Sequence, residues 1–229
     1  MTLPADQDVL AVVVARNEEP TIAGVVKSLR RLGGVAEVTV IDGGSSDRTV
    51  EEATGAGARV LMSARPVGKG DALEGAFDRL AEADILVLVD GDVGDTAEEA
   101  ELLMGPVLRG ELDIAIGRLP GQPGGGFGLV KGMARWSIRV LTGFDPREPL
   151  SGQRCATREV LRACRPFARG FGLETAMTID AARLGYRVGE IPVAMTHRPT
   201  GRSVSGFAHR ARQGLDIIRA VFPRALSLR

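Results

Sequence analysis

The segment Ile85-Leu86-Val87-Leu88-Val89-Asp90-Gly91-Asp92 decides the fold of this chain, because a run of five apolar residues ends abruptly in two carboxylates. A short, branched apolar run bounded by polar residues is typical of a strand that is buried on both faces of a parallel sheet. In such sheets, ligands bind beyond the carboxyl ends of the strands. We therefore expect the functional site at Asp90 and Asp92.

These two carboxylates admit two interpretations. Asp90 and Asp92 repel each other unless a cation or a proton intervenes. A divalent Mg²⁺ or Mn²⁺ would take carboxylate oxygens on one side and substrate phosphates on the other. Alternatively, Asp90-Gly91-Asp92 is only a polar turn before a helix, because Asp and Gly are common turn residues. The tripeptide by itself leaves both interpretations open.

Composition narrows the class of protein. The chain has 229 residues, which suits one large α/β domain. Lys plus Arg and Asp plus Glu are both 29, so no net charge attracts nucleic acid. The cysteines Cys155 and Cys164 lack metal-type spacing, and no apolar leader precedes the chain, which predicts a cytoplasmic protein. No apolar run reaches the roughly 20 residues of a transmembrane segment.

Strands and helices alternate along the first half of the chain. The predicted strands are Val9–Ala15, 35–41, 58–62, 84–89 and 113–117. Between them, apolar residues at helical spacing predict helices that begin at Ile22, after the cap residue Asp47, at Ala72 and after Asp95. This alternation predicts an α/β fold with a mostly parallel central sheet flanked by helices.

The second half begins with a segment rich in glycine and proline. Residues 119–128 leave the sheet on the ligand side, so we interpret them as a mobile lid rather than a plain connector. Helices are predicted at 129–142, from Arg158 and at 175–184, and a strand at 188–195.

The chain ends in an amphipathic pattern with several arginines. The apolar stripe consists of Phe207, Ala211, Leu215, Ile218 and Phe222, and Pro223 is expected to stop the helix. Such a stripe either lies on an anionic membrane surface, as a peripheral contact, or packs on its own domain or on a partner subunit of a homodimer.

Familiar nucleotide and hydrolase motifs are missing. The first strand has no Gly-x-Gly-x-x-Gly after it, and the chain has neither a Gly-x-x-x-x-Gly-Lys-Ser/Thr loop nor a Gly-x-Ser-x-Gly elbow. Polar loops follow successive strands instead: Arg16-Asn17-Glu18, Asp42 with Ser45, Lys69, and Asp90-Gly91-Asp92. Acceptors for a base and ribose, a cation for phosphate and carboxylates for a metal together indicate a nucleoside-diphosphate site.

Four motifs occur in order along the first half. They are Ala15-Arg16-Asn17-Glu18-Glu19, Val40-Ile41-Asp42-Gly43-Gly44-Ser45-Ser46-Asp47, Gly68-Lys69-Gly70-Asp71-Ala72-Leu73 and Leu88-Val89-Asp90-Gly91-Asp92. The series resembles the family-2 glycosyltransferases of the GT-A fold, and within them the branch of polyprenyl-phosphate sugar transferases and glucosyl-3-phosphoglycerate synthases. The second half shares the resemblance through Gly170-Phe171-Gly172-Leu173-Glu174 and Thr196-His197-Arg198.

The resemblance implies a role for each loop. The nucleoside pocket would be lined by Ala15, Arg16, Glu18, Asp42 and Ser45. Lys69 would contact the nucleotide, Asp90 and Gly91 the ribose, and Asp92 and His197 a divalent Mg²⁺ or Mn²⁺ ion. Many relatives read Asp-Asp-Gly-Ser where this chain reads Asp42-Gly43-Gly44-Ser45, which leaves the donor open between a UDP-linked and a GDP-linked sugar.

Catalysis and acceptor binding are assigned in the same way. The metal on Asp92, together with Lys69, would neutralise charge on the departing nucleoside diphosphate. Glu174 is either a general base for a hydroxyl acceptor or a cap for the following helix. An anionic acceptor would meet Ser151, Gly152, Arg154 and Arg202, unless these arginines are solvated or form internal ion pairs.

We therefore expect a metal-dependent hexosyltransferase that moves a sugar from a nucleoside-diphosphate sugar to a small or lipid-linked, anionic acceptor. A single GT-A domain, 1–229, would comprise a nucleotide-sugar-binding half, 1–117, and an acceptor-binding half, 118–229, with a C-terminal amphipathic helix. One alternative is a sugar-phosphate nucleotidyltransferase, although residues 16–20 do not provide its glycine-rich basic loop. Another is a non-catalytic nucleotide-sugar-binding protein, which only turnover can exclude.

Overall fold

The structure, a computed structural model, describes residues 8–120, 128–197 and 205–226. Most of the lid predicted at 119–128 therefore lies outside the described residues, as does Arg202, the predicted acceptor contact.

Seven strands form one sheet in the order β3-β2-β1-β4-β6-β5-β7. Their bounds are β1 (Val9–Ala15), β2 (Val35–Asp42), β3 (Arg59–Met62), β4 (Ile85–Asp90), β5 (Ile114–Arg118), β6 (Arg154–Thr157) and β7 (Val188–Pro192). Every pairing is parallel except the two made by β6, which runs antiparallel between β4 and β5. The prediction of a mostly parallel central sheet is confirmed.

Helices cover both faces of this sheet. They are α1 (Ile22–Arg30), α2 (Thr49–Gly55), α3 (Lys69–Ala76), α4 (Ala100–Leu108), α5 (Gly128–Thr142), α6 (Arg158–Ala163), α7 (Leu173–Arg183) and α8 (Ser205–Leu226). The described residues also include three short 3₁₀ segments, at Phe77–Arg79, Gly94–Glu99 and Gly170–Gly172.

The core consists of one apolar cluster on each face of the sheet. Alternate residues of β1 point to opposite faces, so Val13 joins the cluster beneath α1 and α4, whereas Val12 joins the cluster beneath α3 and α7. On β4, Val87 and Leu88 divide in the same way. Both strands are therefore buried on two sides, which explains why their sequences are continuous apolar runs rather than alternating patterns.

Strand β6 is an element that the sequence pattern did not predict. It has four residues, and the arginine at its start, Arg154, argues locally against a buried strand. Its antiparallel register places Arg154 opposite Leu88 of β4. The amino end of β6 therefore lies at the same edge of the sheet as the carboxyl end of β4, which brings Gly152 and Gln153 to that edge.

The predicted bounds of three elements were wrong. Helix α3 begins at Lys69 and ends at Ala76, where a 3₁₀ turn follows, rather than running from 72 to 80. Strand β7 ends at Pro192, because the chain then leaves the ladder toward the site. Pro223 does not stop α8, which continues to Leu226. A proline in the last turn removes one N–H donor, and here that loss does not end the helix.

Burial on both faces predicts a large penalty for shortening β4. Leu86 is 0% exposed, so Leu86→Ala should lower the free energy of unfolding by about 2–5 kcal/mol. The matched control is Leu102→Ala on α4, where the side chain is 49% exposed and the expected change is about 0.5 kcal/mol or less. Urea unfolding followed by circular dichroism measures both. Equal penalties for the two variants would contradict the two-sided burial of β4.

Candidate active site

Polar residues collect where β1, β2 and β4 end. The register sets Ala15 opposite Asp42 and Val14 opposite Asp90, so the three carboxyl ends are level with one another. The antiparallel β6 begins at this edge, and the segment after β7 returns to it with His197. Residues from both halves of the chain therefore meet at this edge of the sheet, which we call the cleft.

The loops after β1 and β2 are tied together by hydrogen bonds. Asn17 has a left-handed backbone (φ 59°), and its N–H donates to Ser45 Oγ at 2.9 Å. Its side-chain Oδ1 accepts from the N–H of Ser46 at 2.9 Å. Ser45 Oγ in turn donates to Asp42 Oδ1 at 2.5 Å. Arg16 is exposed in the first of these loops, and its contact with a nucleoside stays a prediction.

Asp42 is buried, and its own turn occupies its carboxylate. Besides the Ser45 hydroxyl, it accepts the N–H groups of Gly44 and Ser45, each at 3.0 Å from Oδ2. These contacts give Asp42 a structural role in shaping the loop. A direct contact with the base stays a prediction.

Gly91 lies directly under the first loop. A Cβ at this position would lie 2.9 Å from Ala15 Cβ and 3.2 Å from Glu18 Cγ. The Thr21 hydroxyl donates to the Gly91 carbonyl at 2.8 Å. The absence of a side chain at position 91 therefore lets the loops after β1 and β4 approach each other closely.

Lys69 occupies the centre of the cleft, at the start of α3. Its Nζ lies 2.5 Å from Asp90 Oδ1 and 2.9 Å from Glu174 Oε1. Burial by itself would lower the pKa of Lys69, but the two carboxylates raise it above its ordinary value. Burial would likewise raise the pKa of Asp90, but the Lys69 ammonium lowers it. Lys69 therefore stays cationic, which suits contact with a diphosphate.

Gln153 is a site residue that the sequence reasoning missed. It is fully buried, its Nε2 donates to Asp90 Oδ2 at 2.8 Å, and its Oε1 accepts the Asp90 N–H at 3.1 Å. It thus orients the carboxylate that pairs with Lys69. In the sequence, only the polar stretch Ser151-Gly152-Gln153-Arg154 pointed to this residue, because the contact with Asp90 depends on the pairing of β6 with β4.

Gly152 lies against the same ion pair. A Cβ there would be 2.3 Å from both Lys69 Nζ and Asp90 Oδ2. The glycine therefore leaves room for the Lys69–Asp90 pair. Acceptor binding by Gly152 and by its buried neighbour Ser151 stays a prediction.

Glu174 lies in the first turn of α7 but does not cap it. The residue before the helix is Gly172, and no side chain accepts a capping hydrogen bond there. The Glu174 carboxylate instead reaches Lys69 across the cleft. This geometry favours the functional alternative over the capping alternative.

The position of Arg154 favours an internal role over the predicted contact with an anionic acceptor, which stays a prediction. Its side chain is buried under the site, where Nε donates to the Ser151 carbonyl at 2.9 Å and Nη1 to Thr178 Oγ1 at 3.0 Å. Burial lowers the pKa of Arg154 to about 10, while the nearby charge of Glu174 acts in the opposite direction. The reason for this burial is the direction of β6, which points this side chain toward α7.

Asp92 and His197 form the candidate metal site. His197 Nδ1 lies 2.8 Å from Asp92 Oδ1, and one ligand atom from each of Asp90, Asp92 and His197 lies within 4.8 Å of the others. Two carboxylate oxygens and one imidazole nitrogen suit Mg²⁺ or Mn²⁺. The residues therefore fit a divalent cation, and Asp90 is close enough to join the predicted pair.

The protonation state of His197 depends on its partner. The hydrogen bond that the His197 ring donates to the Asp92 carboxylate raises the pKa of His197, burial opposes this shift, and the Asp92 charge adds to it. The segment that carries His197 is held in place where the Thr196 N–H donates to Thr96 Oγ1 at 3.1 Å. Metal binding therefore has to compete with a proton at this histidine.

The comparison with protein families identifies the class. A model described as "Glycosyl transferase family 2" matches residues 10–161, and the chain belongs to this family. The match includes every strand of the site except β7. The match confirms the predicted family and favours a glycosyltransferase over the sugar-phosphate nucleotidyltransferase alternative.

Two relatives represent the two acceptor types of the predicted branch. The chain is 35% identical over 207 residues to a glucosyl-3-phosphoglycerate synthase of Mycolicibacterium paratuberculosis, covering 79% of this chain and 62% of the relative. It is 28% identical over 209 residues to an undecaprenyl-phosphate mannosyltransferase of Micrococcus luteus, covering 85% of this chain and 86% of the relative. The chain thus spans less than two thirds of the length of the synthase.

A solved structure shows the same fold. The crystal structure of glucosyl-3-phosphoglycerate synthase from Mycobacterium tuberculosis, in complex with Mn²⁺, UDP-glucose and phosphoglyceric acid, superposes with a TM-score of 0.79 at 32% sequence identity. The alignment covers 96% of this chain and 80% of that chain. The predicted GT-A fold is confirmed.

Among the described residues, no helix combines the length and the apolar composition that crossing a membrane requires.

The tight contact at Gly152 predicts a specific loss of ligand binding. Gly152→Ala should displace the Lys69 ammonium from Asp90 and weaken Mn²⁺-dependent binding of a nucleoside diphosphate by about tenfold or more. The control is Gly75→Ala, in the same helix as Lys69, where a Cβ meets no atom within 4 Å. Isothermal titration calorimetry measures both affinities. Unchanged binding by Gly152→Ala would contradict the proposed contact.

Competition between a proton and the metal predicts a pH dependence. Because the pKa of His197 is raised, its imidazole keeps a proton to higher pH than an ordinary histidine, so Mn²⁺ binding should weaken by about tenfold per pH unit below that pKa. Calorimetry between about pH 6 and pH 8 measures this slope. His197→Gln should bind Mn²⁺ weakly, with little pH dependence over this range. A flat profile for the unmodified protein would contradict ligation by His197.

Proposed function

We propose that this chain transfers a hexosyl group from a nucleoside-diphosphate sugar, with uridine diphosphate as the nucleotide, to an acceptor that carries a phosphate. In the reaction, the bond between the anomeric carbon and the diphosphate oxygen breaks, the anomeric carbon bonds to an acceptor oxygen, and the nucleoside diphosphate leaves with the electron pair. The observation that carries the proposal is the Lys69 ammonium held between Asp90 and Glu174, beside the Asp92–His197 pair.

Lys69 is the residue that stabilises the leaving group. A nucleoside diphosphate gains negative charge as the sugar bond breaks, and a fixed cation in a partly buried cleft stabilises that charge without having to reorganise. Asp90 and Glu174 position the ammonium and keep it protonated. No proton transfer to the leaving group is needed.

Asp92 and His197, with Asp90 adjacent, would hold the divalent cation. When bound, that cation supplies Lewis-acid neutralisation of charge on the diphosphate. The loops after β1 and β2 would bind the nucleoside through Ala15, Arg16, Glu18, Asp42 and Ser45, with Asp90 and Gly91 at the ribose. The hydrogen bonds from Asn17 to Ser45 and from Ser46 to Asn17 support this proposal, because they order the loops in advance of the ligand.

Glu174 marks the acceptor side of the cleft. Its carboxylate contacts the Lys69 ammonium, as does the carboxylate of Asp90 at the end of β4, where the donor loops meet. With a hydroxyl acceptor, Glu174 would accept the hydroxyl proton. With a phosphate acceptor, which is already ionised, no base is required, and Glu174 would act by positioning Lys69. Ser151 and Gly152 are the neighbouring residues proposed to contact the acceptor.

The relatives support two acceptor classes that share a phosphate group. One is named for 3-phosphoglycerate and the other for undecaprenyl phosphate. The neighbouring crystal structure contains UDP-glucose, which supports uridine diphosphate as the donor nucleotide here. A small and a lipid-linked phosphate are therefore both candidates.

Turnover tests the proposal directly. The protein should release uridine diphosphate from UDP-glucose when Mn²⁺ and either phosphoglycerate or polyprenyl phosphate are present. Asp92→Asn should reduce this rate by about 10²-fold or more, because one charged ligand of the cation is lost. Asp8→Asn, at the exposed opposite end of β1, is the matched control and should keep the rate of the unmodified protein.

Two outcomes would contradict the proposal. One is equal rates for Asp92→Asn and the unmodified protein. The other is Mn²⁺-dependent binding of UDP-glucose without release of uridine diphosphate with any phosphate acceptor, which would favour the non-catalytic nucleotide-sugar-binding alternative.

A further inference from the structure

Helix α5 presents an apolar stripe to solvent. Leu129, Trp136 and Val140 share one helical face by their spacing and are exposed, Leu129 at 91% and Trp136 at 58%. The opposite face, with Ala134 and Ile138, is buried. An amphipathic helix of a globular protein ordinarily turns its polar face outward. The outer face of α5 therefore carries apolar side chains beside the exposed Arg135 and Arg139, although its inner face is already packed.

Helix α8 repeats this arrangement. Ile217 and Ala220 are buried, whereas Leu215, Ile218 and Phe222 on the opposite face are exposed, Phe222 at 62%. These three residues belong to the stripe predicted from the sequence, and the structure turns them away from the core. Leu226 extends the same exposed face.

The two exposed stripes belong to helices that contact each other. Of the ten large apolar side chains exposed among the described residues, three lie on α5 and four on α8. Helices α5 and α8 contact each other, and both pack against α7. We call the outer faces of α5 and α8 the apolar face. Exposed apolar patches of this kind mark surfaces that bind a membrane or another protein.

The charge on these helices selects between the two occupants. Helix α5 carries Lys131, Arg135 and Arg139 and no acidic residue, although Lys131 pairs with Glu148 and Arg135 with Asp145, each at 2.6 Å. On α8, Arg224 pairs with Asp180, and Arg219 lies 3.8 Å from Asp216. Arg139 and Arg219 are exposed beside the stripes, while Asp216 is largely buried. In a symmetric dimer this basic face would meet a copy of itself. An anionic bilayer, by contrast, complements both the cations and the apolar residues.

The inner side of α8 packs against the acceptor side of the cleft. Asp216 Oδ2 accepts the Phe171 N–H at 3.4 Å, and a Cβ on Gly172 would lie 2.6 Å from Ala220 Cβ. Glu174 lies two residues after the turn Gly170–Gly172. A single helix thus has the apolar face on its outer side and the turn that leads to Glu174 on its inner side.

We propose that the apolar face docks in the plane of an anionic lipid bilayer and brings the cleft to a phosphate-bearing lipid acceptor. Delivery of the cleft to a lipid acceptor rests on the proposed transferase function, whereas docking on the bilayer does not. Exposed apolar residues enter the interfacial region of the bilayer, and Arg139 and Arg219 meet anionic headgroups.

The single tryptophan of the chain, Trp136, lies in the proposed contact and reports on it directly. Adding phosphatidylglycerol vesicles to the full chain should shift its fluorescence to the blue, and neutral phosphatidylcholine vesicles should shift it less. Co-sedimentation should show binding that weakens at high salt. No shift and no sedimentation with phosphatidylglycerol vesicles would overturn the proposal.

Variants separate the apolar contribution from the charged one. Phe222→Gln should weaken vesicle binding by about tenfold, because a large apolar side chain no longer enters the bilayer. Arg139→Gln and Arg219→Gln should each weaken it by about fivefold. Leu102→Gln, an exposed apolar residue on α4 away from this face, is the control and should bind as the unmodified protein does. Equal binding by Phe222→Gln and Leu102→Gln would overturn the assignment of this face.

Two further measurements distinguish docking from the other outcomes. If light scattering shows a dimer that Phe222→Gln dissociates, while vesicles are not bound, a second copy covers the face and the proposal is wrong. With polyprenyl phosphate in vesicles, the rate of sugar transfer by Phe222→Gln should fall in proportion to its vesicle binding. An unchanged rate would overturn the proposal that docking brings the cleft to a lipid acceptor. Vesicle binding without release of uridine diphosphate would instead contradict the proposed function and leave docking supported.

Discussion

The rest of the site depends on one shared cation, the ammonium of Lys69, which contacts Asp90 at the end of β4 and Glu174 at the start of α7. A largely buried charge is costly unless opposite charges and hydrogen bonds surround it, and removing one partner leaves the others uncompensated. The carboxylates, the lysine, the amide of Gln153 and the space left by Gly152 therefore form one unit. This unit connects the end of β4, which we propose binds the nucleotide, to the start of α7, which we propose faces the acceptor, and its charges are placed before any ligand binds, as electrostatic preorganisation requires.

The same connection extends from the cleft to the outer surface. Glu174 follows the turn Gly170–Gly172, and α8 packs on that turn through Asp216 and Ala220. The opposite side of α8 carries the exposed apolar residues. A direct contact thus links the turn before Glu174, the proposed acceptor-side residue, to the surface proposed to meet a bilayer. In a transferase that acts on a lipid-linked phosphate, this arrangement would place the cleft at the height of the headgroups without a membrane-spanning helix among the described elements.

The sequence predicted the parts of the structure that rest on strong local patterns. Strands buried on both faces appear as apolar runs, so the ends of β1, β2 and β4 and the polar residues that follow them, Asp92 among them, could be located in advance. The position of Gln153 against Asp90 could not, because it depends on a short antiparallel strand whose pairing is not encoded within its own four residues. The burial of Arg154 could not be predicted for the same reason. The outward direction of the Phe222 stripe also lacked a local signal, since amphipathic spacing shows that a face exists but not what covers it.

The proposed binding of a metal ion and a diphosphate at the two carboxylates that follow β4 can be tested by crystallography. Crystals grown with Mn²⁺ and uridine diphosphate and measured at the manganese absorption edge locate the cation by its anomalous signal. We expect a manganese peak coordinated by Asp92 and His197, with the diphosphate in contact with both the ion and Lys69 Nζ. A peak away from these two residues, or a nucleotide bound out of reach of Lys69, would contradict it.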